Sequence, residues 1–289
     1  MMGVERAGIF RIGGELAVHR MGYGAMRLCG PHAAGWCEDR TVPERVLTRA
    51  VELGIDFIDT ADSYGPHINE MQIAGALRPY SPNLVIATKG STIRTPQDPG
   101  RRDYDNSPAY LRAAVEGSLR RLGLDQIALY QIHRLDGRTP LEDCLGALAD
   151  LRQEGKIGHV GLSEVDIGTL QLASAIVPIA SVQNLFNLWD RRHSEVLNWC
   201  ETNGAAFIPW FPIGGGIRSA ANDPTVNTIA SELGASATQV ALAWLLAHSP
   251  AILLIPGTAS VGHLEENAAA CDLRLDSVAL AQLNELGMT

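Results

Sequence analysis

Two rhythms of apolar and polar positions alternate along the chain. Short runs such as Leu84-Val85-Ile86-Ala87 and Ile127-Ala128-Leu129-Tyr130-Gln131-Ile132 read as buried strands. Longer amphipathic segments between them read as helices. The turn-forming pair Gly13-Gly14 predicts an N-terminal hairpin, followed by a first buried strand at Met21-Gly22-Tyr23-Gly24. A helix is predicted over Val42 to Leu53, then a second strand at Ile55 to Ile58. The third strand, Leu84 to Ala87, leads into a long polar loop from Gly90 to Asn106. Ser107-Pro108 starts a helix that Gly123 ends, with a cap and a first-turn proline. The fourth strand is Ile127 to Ile132. Thr139-Pro140-Leu141-Glu142 has the form of a capping box with proline at the first helical position.

That helix runs to about Gly155, and His159 to Leu162 is a fifth strand. Asp166 caps a helix through Ile176, and Ser181-Val182-Gln183 lies in a sixth strand. A helix over Arg191 to Thr202 stops at Asn203-Gly204 before the seventh strand, Ala206 to Pro209. Helices over Pro224 to Leu233 and Thr238 to His248 precede an eighth strand, Ile252 to Ile255. Helices from Val261 and from Val278 close the chain. Eight short strands separated by helices predict an α/β fold: a closed parallel (β/α)₈ (TIM) barrel with an N-terminal β-hairpin. An open doubly wound sheet is the alternative. Its dinucleotide fingerprint is incomplete here, because Gly22-x-Gly24 is followed by Ala25-Met26-Arg27 and lacks the third glycine. Gly214-Gly215-Gly216 is a weak signal, since glycine runs are common in loops. With no linker-like composition shift, repeat or low-complexity stretch, one domain over residues 1–289 is expected.

Composition narrows the class. Hydrophobic residues make up 46% and charged residues 19% of the 289, as in a globular protein with a sizeable core. No apolar segment approaches the roughly 20 residues needed to span a bilayer, and the run after Met1 is too short for a secretory signal. A net charge of −9 argues against nucleic-acid or other polyanion binding, while leaving room for one nucleotide. Five cysteines without a Cys-x-x-Cys pair fit free thiols in a reducing, cytoplasmic setting. No ligand spacing such as His-Glu-x-x-His points to a metal.

Candidate chemistry sits at the strand ends. Asp59, Lys89 and His133 each stand where an apolar strand gives way to a polar loop. Alternation puts Asp59 on the face of Ile55 and Phe57, Lys89 with Val85 and Ala87, and His133 with Leu129 and Gln131. If those faces point inward, the three groups meet at the C-terminal mouth of the barrel, where such folds do their chemistry. Tyr64 follows in a glycine-bounded turn that can fold its phenol over the same opening. Each residue has a plain alternative: a turn cap for Asp59, a solvated lysine, a satisfied core histidine, a packing tyrosine. Their convergence on one face is what favours a site. A Lys ammonium at about 4 Å favours phenolate by ~4 kcal/mol at an effective dielectric of ~20, before desolvation opposes it. Asp59 would hold Lys89 charged, and His133 would hydrogen-bond a substrate oxygen. The set suits protonation of a carbonyl oxygen during reduction.

These motifs carry a resemblance. Gly54-Ile55-Asp56-Phe57-Ile58-Asp59-Thr60-Ala61-Asp62-Ser63-Tyr64-Gly65, Ala87-Thr88-Lys89, Gln131-Ile132-His133-Arg134, Gly161-Leu162-Ser163-Glu164 and Ile255-Pro256-Gly257-Thr258 resemble those of the aldo-keto reductases, over nearly the whole chain. The resemblance implies a catalytic tetrad of Asp59, Tyr64, Lys89 and His133, and NADP(H), or NAD(H), bound without a Rossmann domain. By the same mapping Ser163, Glu164 and Gln183 stand at the nicotinamide carboxamide and Trp210 stacks on its ring. Gly22, Phe211 and Pro212 fall at the cofactor site. The loop from Ile213 through Gly214 to Arg218 covers the pyrophosphate. Gly257, Thr258, Ser260, His263, Glu266 and Asn267 lie along the adenosine end.

Three departures from the family pattern involve four positions. Glu164 replaces a frequent asparagine, Phe211 a common serine, and Gly257 and His263 the Lys and Arg that grip a 2′-phosphate in many members. The resemblance implies reduction of a small carbonyl substrate with NADPH, pyridoxal among the candidates. A Lys89 Schiff-base aldolase and a non-catalytic cofactor-binding subunit are the alternatives. Specificity is expected from the loops Leu28 to Arg40 and Ser91 to Asn106 and from Trp36, Tyr104 and Trp189.

Overall fold

A computed structural model describes residues 3–95, 98–215 and 218–287. Strands β1 (Ile9–Ile12) and β2 (Leu16–His19) form the expected antiparallel hairpin. Next come β3 (Tyr23–Gly24), α1 (Val42–Glu52), β4 (Phe57–Asp59), α2 (Ile68–Leu77) and β5 (Val85–Gly90). A second hairpin, β6 (Thr92–Thr95) and β7 (Asp98–Tyr104), precedes α3 (Pro108–Leu122), β8 (Ile127–Ile132) and α4 (Leu141–Gln153). The pattern continues through β9 (Ile157–Ser163), α5 (Ile167–Ile176), β10 (Ile179–Gln183), α6 (Ser194–Asn203) and β11 (Ala206–Phe207). A short pair, β12 (Gly214–Gly215) and β13 (Arg218–Ser219), is followed by α7 (Pro224–Glu232), α8 (Ala237–His248), α9 (Val261–Ala269) and α10 (Ser277–Glu285).

Seven strands run side by side in the order β11-β10-β9-β8-β5-β4-β3, every pairing parallel. The eighth position of the barrel is an extended segment. Ile252 bridges to Phe207 on β11 and Leu254 bridges to Met21 beside β3, both parallel, which closes the ring. Alternation along the strands sorts two cores. Ile58, Ile86, Tyr130, Ile132, Val160 and Val182 pack outward under the helices. Phe57, Val85, Ala87, Leu129, Ala180, Ala206 and Leu253 pack inside the barrel. Ile12 and Val18 of the β1–β2 hairpin join that inner cluster and plug the end where the strands begin.

Four local expectations change. Residues 90–106 are not a featureless loop, because β6 pairs with β7 in an antiparallel hairpin. The capping box at Thr139 does not form. Pro140 is the cap position and, lacking an N–H, cannot take the reciprocal bond, while the Thr139 hydroxyl donates to Asp136 instead. The second strand begins at Phe57, and Ile55 packs outward with the helices, off the Asp59 face. Helix α2 escaped the sequence reading. Its face against the barrel buries the polar residues Asn69, Glu70 and Gln72, so its apolar periodicity is faint. The caps at Ser107 and Asp166 form as expected, each accepting a backbone N–H bond. No single helix among the described residues is long and apolar enough to cross a membrane.

The hairpin plug is testable. Ile12 is fully buried, so Ile12→Ala should lower the unfolding free energy by about 2–5 kcal/mol. Chemical denaturation measures the loss, and ligand affinity at the opposite mouth should stay close to wild type.

Candidate active site

The barrel interior ends, at its C-terminal mouth, in an ion pair. Strand register sets Asp59 beside Ala87, two residues before Lys89 on the same inward face, and sets Lys89 beside Gln131. Lys89 Nζ donates to Asp59 Oδ2 at 2.6 Å and to the Thr60 carbonyl at 2.9 Å, with its side chain fully buried. Asp59 Oδ1 accepts from Gln183 at 3.1 Å and Gln131 at 3.3 Å. Burial works against the ammonium, but Asp59 and then Tyr64 overcome it and hold the Lys89 pKa above its ordinary value.

Tyr64 reaches the same mouth from the turn after β4. Gly65, at φ +100°, makes this turn possible, since a side chain there would collide with Ile68. The loop after β3 clamps it: Gly65 N–H donates to the Ala33 carbonyl and Gly35 N–H to the Gly65 carbonyl. Lys89 Nζ lies 5.4 Å from the Tyr64 ring centre, and the His133 ring meets it edge-on at 5.7 Å. The Lys89 charge lowers the Tyr64 pKa as expected, and desolvation opposes it. Burial raises the Tyr64 pKa by more than the Lys89 charge lowers it, so the phenol is a protonated donor at neutral pH. Burial, followed by the charges of Lys89 and Arg134, drives the His133 pKa well below its ordinary value, so its imidazole is neutral. His133 Nδ1 faces Ser63 Oγ at 3.3 Å, leaving Nε2 for a ligand in the cleft.

These groups open into a cleft of about 310 Å³, a size that suits a nicotinamide ring and a small molecule beside it. Asp59, Tyr64, His133, Ser163, Gln183, Trp210, Phe211, Pro212, Ile213, Gly214, Gly257 and Asn267 all line it. Lys89 lies beneath the lining. Asn267 reaches it from α9, on the same helix as His263 and Glu266. Ser260 caps that helix by accepting from His263 N–H, and the N–H groups of Val261 and Gly262 remain for an anion. His263, Glu266, Thr258 and Ser260 are outside the cleft lining.

Several expected contacts fall elsewhere. Gly22 is packed behind the mouth, its N–H bonded to the Leu254 carbonyl, and Gly24 lines the cleft in its place. Glu164, at φ +56°, turns from the cleft and accepts from Leu185 N–H and from the Trp210 indole N–H, so it positions Trp210. Arg218 is exposed on β13, away from the lining, and Gly216 and Ile217 of the same loop lie outside the described residues. Of the candidate specificity residues, Tyr104 lines the cleft. Trp36 lies exposed under Arg40, and Trp189 bonds to Asp223 behind Gly214. The sequence reading gave no site role to Met26, Arg27 or Arg134, and it included Thr92, Arg94 and Arg102 only within the expected specificity loop Ser91 to Asn106.

Residues 20–287 match the Aldo/keto reductase family. The chain belongs to that family and is an oxidoreductase. An uncharacterized oxidoreductase of Schizosaccharomyces pombe is 44% identical, over 98% of this chain and 91% of its own length. Pyridoxine 4-dehydrogenase of Escherichia coli is 41% identical, over 94% of this chain and 96% of its own length. An aldo-keto reductase from Klebsiella pneumoniae, solved with NADPH, superposes with a TM-score of 0.81 at 28% identity, over 96% of this chain and 94% of that one.

The buried pair makes a direct prediction. Lys89→Met should cost about 3–5 kcal/mol, because it leaves the Asp59 carboxylate buried without its cation. Lys89→Met with Asp59→Leu should recover most of that loss, measured by chemical denaturation, because no buried charge is then left alone.

Proposed function

We propose that the protein reduces an aldehyde or ketone to the alcohol with NADPH. The observation that carries this reading is the placement of Tyr64 and His133 together at one cleft wall, above a buried Lys89–Asp59 pair. When bound, the dinucleotide supplies a hydride from nicotinamide C4 to the carbonyl carbon. Tyr64 gives its proton to the carbonyl oxygen, and the O–H bond of the phenol breaks as that of the alcohol forms. Lys89 stabilises the phenolate left behind, and Asp59 keeps Lys89 charged. His133 Nε2 orients the carbonyl oxygen.

Residues of the cleft fit the cofactor. Trp210 offers a flat ring fixed at its N–H by Glu164, and Ser163 and Gln183 supply polar groups beside it. Phe211, Pro212, Ile213 and Gly214 wall the route of the pyrophosphate, and Asn267 with the α9 start suits the adenosine end. Family membership and the NADPH-bound neighbour support NADP(H). The pyridoxine 4-dehydrogenase relative favours pyridoxal as the first aldehyde to try. A Schiff base on Lys89 fits poorly, since its ammonium is enclosed by two acceptor oxygens and held charged. Cysteines at five positions, all free, support a reducing compartment such as the cytoplasm.

Rates with a carbonyl panel that includes pyridoxal, with NADPH and NADH in parallel, test the reading. Tyr64→Phe should lower kcat by at least ~10²-fold with cofactor affinity nearly intact; near-normal turnover would remove Tyr64 from the chemistry. In the alcohol-oxidising direction the phenolate is the active form, so activity should rise with pH. Because the Lys89 charge lowers the Tyr64 pKa, Lys89→Met should move that rise to higher pH.

We expect NADPH to be preferred over NADH by about 10-fold, ~1.4 kcal/mol. His263→Arg should widen the preference by adding a cation on α9. Gly257→Lys is the poorer test, because a Cβ there would lie 2.6 Å from the Gly24 carbonyl oxygen. A preference for NADH in wild type would sink this view of the adenosine end.

A further inference from the structure

Although the chain carries a net charge of −9, four arginines line its cleft: Arg27, Arg94, Arg102 and Arg134. The lining carboxylate is Asp59, already committed to Lys89. Two of the arginines have evident occupations. Arg27 runs beside Gly257 on the cofactor side, and Arg134 donates to Ser163 Oγ at 2.8 Å and to the His133 carbonyl at 2.7 Å. Arg94 and Arg102 stand on the β6–β7 hairpin.

The hairpin brings them to one wall. Thr92 pairs with Tyr104 and Ile93 with Asp103, the register shifts at Arg94, and Arg94 and Arg102 both line the cleft. Alternation puts Thr92, Arg94, Arg102 and Tyr104 on one face, and all four line the cleft. Like charges facing each other across an antiparallel pair are destabilising, and Arg102 is among the causes, after burial, that depress the Arg94 pKa. Neither guanidinium has a carboxylate partner among the described residues. Arg94 Nη1 is anchored on the His32 carbonyl at 2.8 Å, while its Nε is buried without a hydrogen-bond partner. Thr92, 4% exposed, has a hydroxyl in the same condition. Buried donors are ordinarily paired, so an unpaired hydroxyl and guanidinium N–H together on one cleft wall call for an acceptor from outside.

We propose that this wall binds an oxyanion, a carboxylate or a phosphate monoester, carried by the carbonyl substrate as a second group away from the reacting carbonyl. The proposal rests on the reductase reading, in which Tyr64 and His133 take the carbonyl oxygen and leave Arg94, Arg102 and Thr92 for another substituent. Planar guanidinium forks suit both oxyanions, which share the geometry of paired acceptor oxygens.

Two matched pairs of aldehydes test it with NADPH: 4-carboxybenzaldehyde against methyl 4-formylbenzoate, and pyridoxal 5′-phosphate against pyridoxal. In at least one pair the charged member should have the higher kcat/KM, by about tenfold or more and mainly through KM, the scale of one charge-assisted hydrogen bond. The pair that shows the preference tells carboxylate from phosphate. Arg94→Gln with Arg102→Gln should bring the ratio close to one, whereas Arg102→Lys should retain part of it. A ratio at or below one in both pairs, or one unchanged in the double glutamine variant, overturns the proposal.

If no aldehyde is turned over, the reductase reading fails, and calorimetry then decides the anion site by itself. Titrated with NADP⁺ present, at least one charged aldehyde should bind more tightly than its neutral partner, and the double variant should abolish the difference. Equal binding within both pairs overturns the proposal in that case too.

Discussion

A charged pair enclosed at the centre of the mouth organises everything above it. Removing a lysine and a carboxylate from water costs several kcal/mol for each, and a 2.6 Å contact repays this only if the remaining polar atoms are also satisfied. Here they are. The Thr60 carbonyl accepts a second bond from Lys89, and the side-chain amides of Gln131 and Gln183 donate to Asp59. Four separate strands and the segment following one of them must therefore be in register for the pair to exist. Well-packed apolar side chains of similar volume would often serve stability as well or better, so the pair is best understood through the field it places under Tyr64 and His133.

That field and the burial around it divide the labour between two neighbours. Tyr64 keeps its proton because loss of solvation outweighs the lysine charge. His133 stays neutral because solvation loss and the surrounding cations act in the same direction. A donor that is protonated and an imidazole that carries no charge can both address one carbonyl oxygen without mutual repulsion. The loop after β3, expected to shape substrate choice, instead braces the tyrosine turn through backbone bonds at Gly35 and Gly65. The more open task of shaping the cleft falls to the β6–β7 hairpin, whose arginines give the entrance its positive character.

Much of this was legible in the chain. Strand and helix alternation is a local property, written in apolar periodicity and in caps such as Ser107 and Asp166, and it was enough to place Asp59 and Lys89 on inward faces. The fit of Tyr64 and His133 to the same site followed from their spacing and from the family resemblance. Helix α2 was not legible, because its buried face is polar: Glu70 accepts from Thr88 and Arg121, and Asn69 bonds to Thr60 and to the Ala25 carbonyl. A polar residue in sequence announces exposure unless its distant partner is known.

What the sequence determined by itself was therefore the order of elements, the faces of the strands and the candidate set at their ends, since each depends on neighbours a few residues away. Only the tertiary structure decided the remainder. Closure of the barrel depends on bridges from Ile252 and Leu254 to segments far along the chain. Glu164 holds the Trp210 indole and does not enter the cleft, and Gly257 has no room for a side chain because Gly24 packs against it. Arg27, Arg134 and the hairpin pair Arg94 and Arg102 come from three separate places along the chain to share one cavity. Solvation loss and the summed field of distant charges belong to the assembled volume and leave no local pattern, which is why the protonation of Tyr64 could be settled only there.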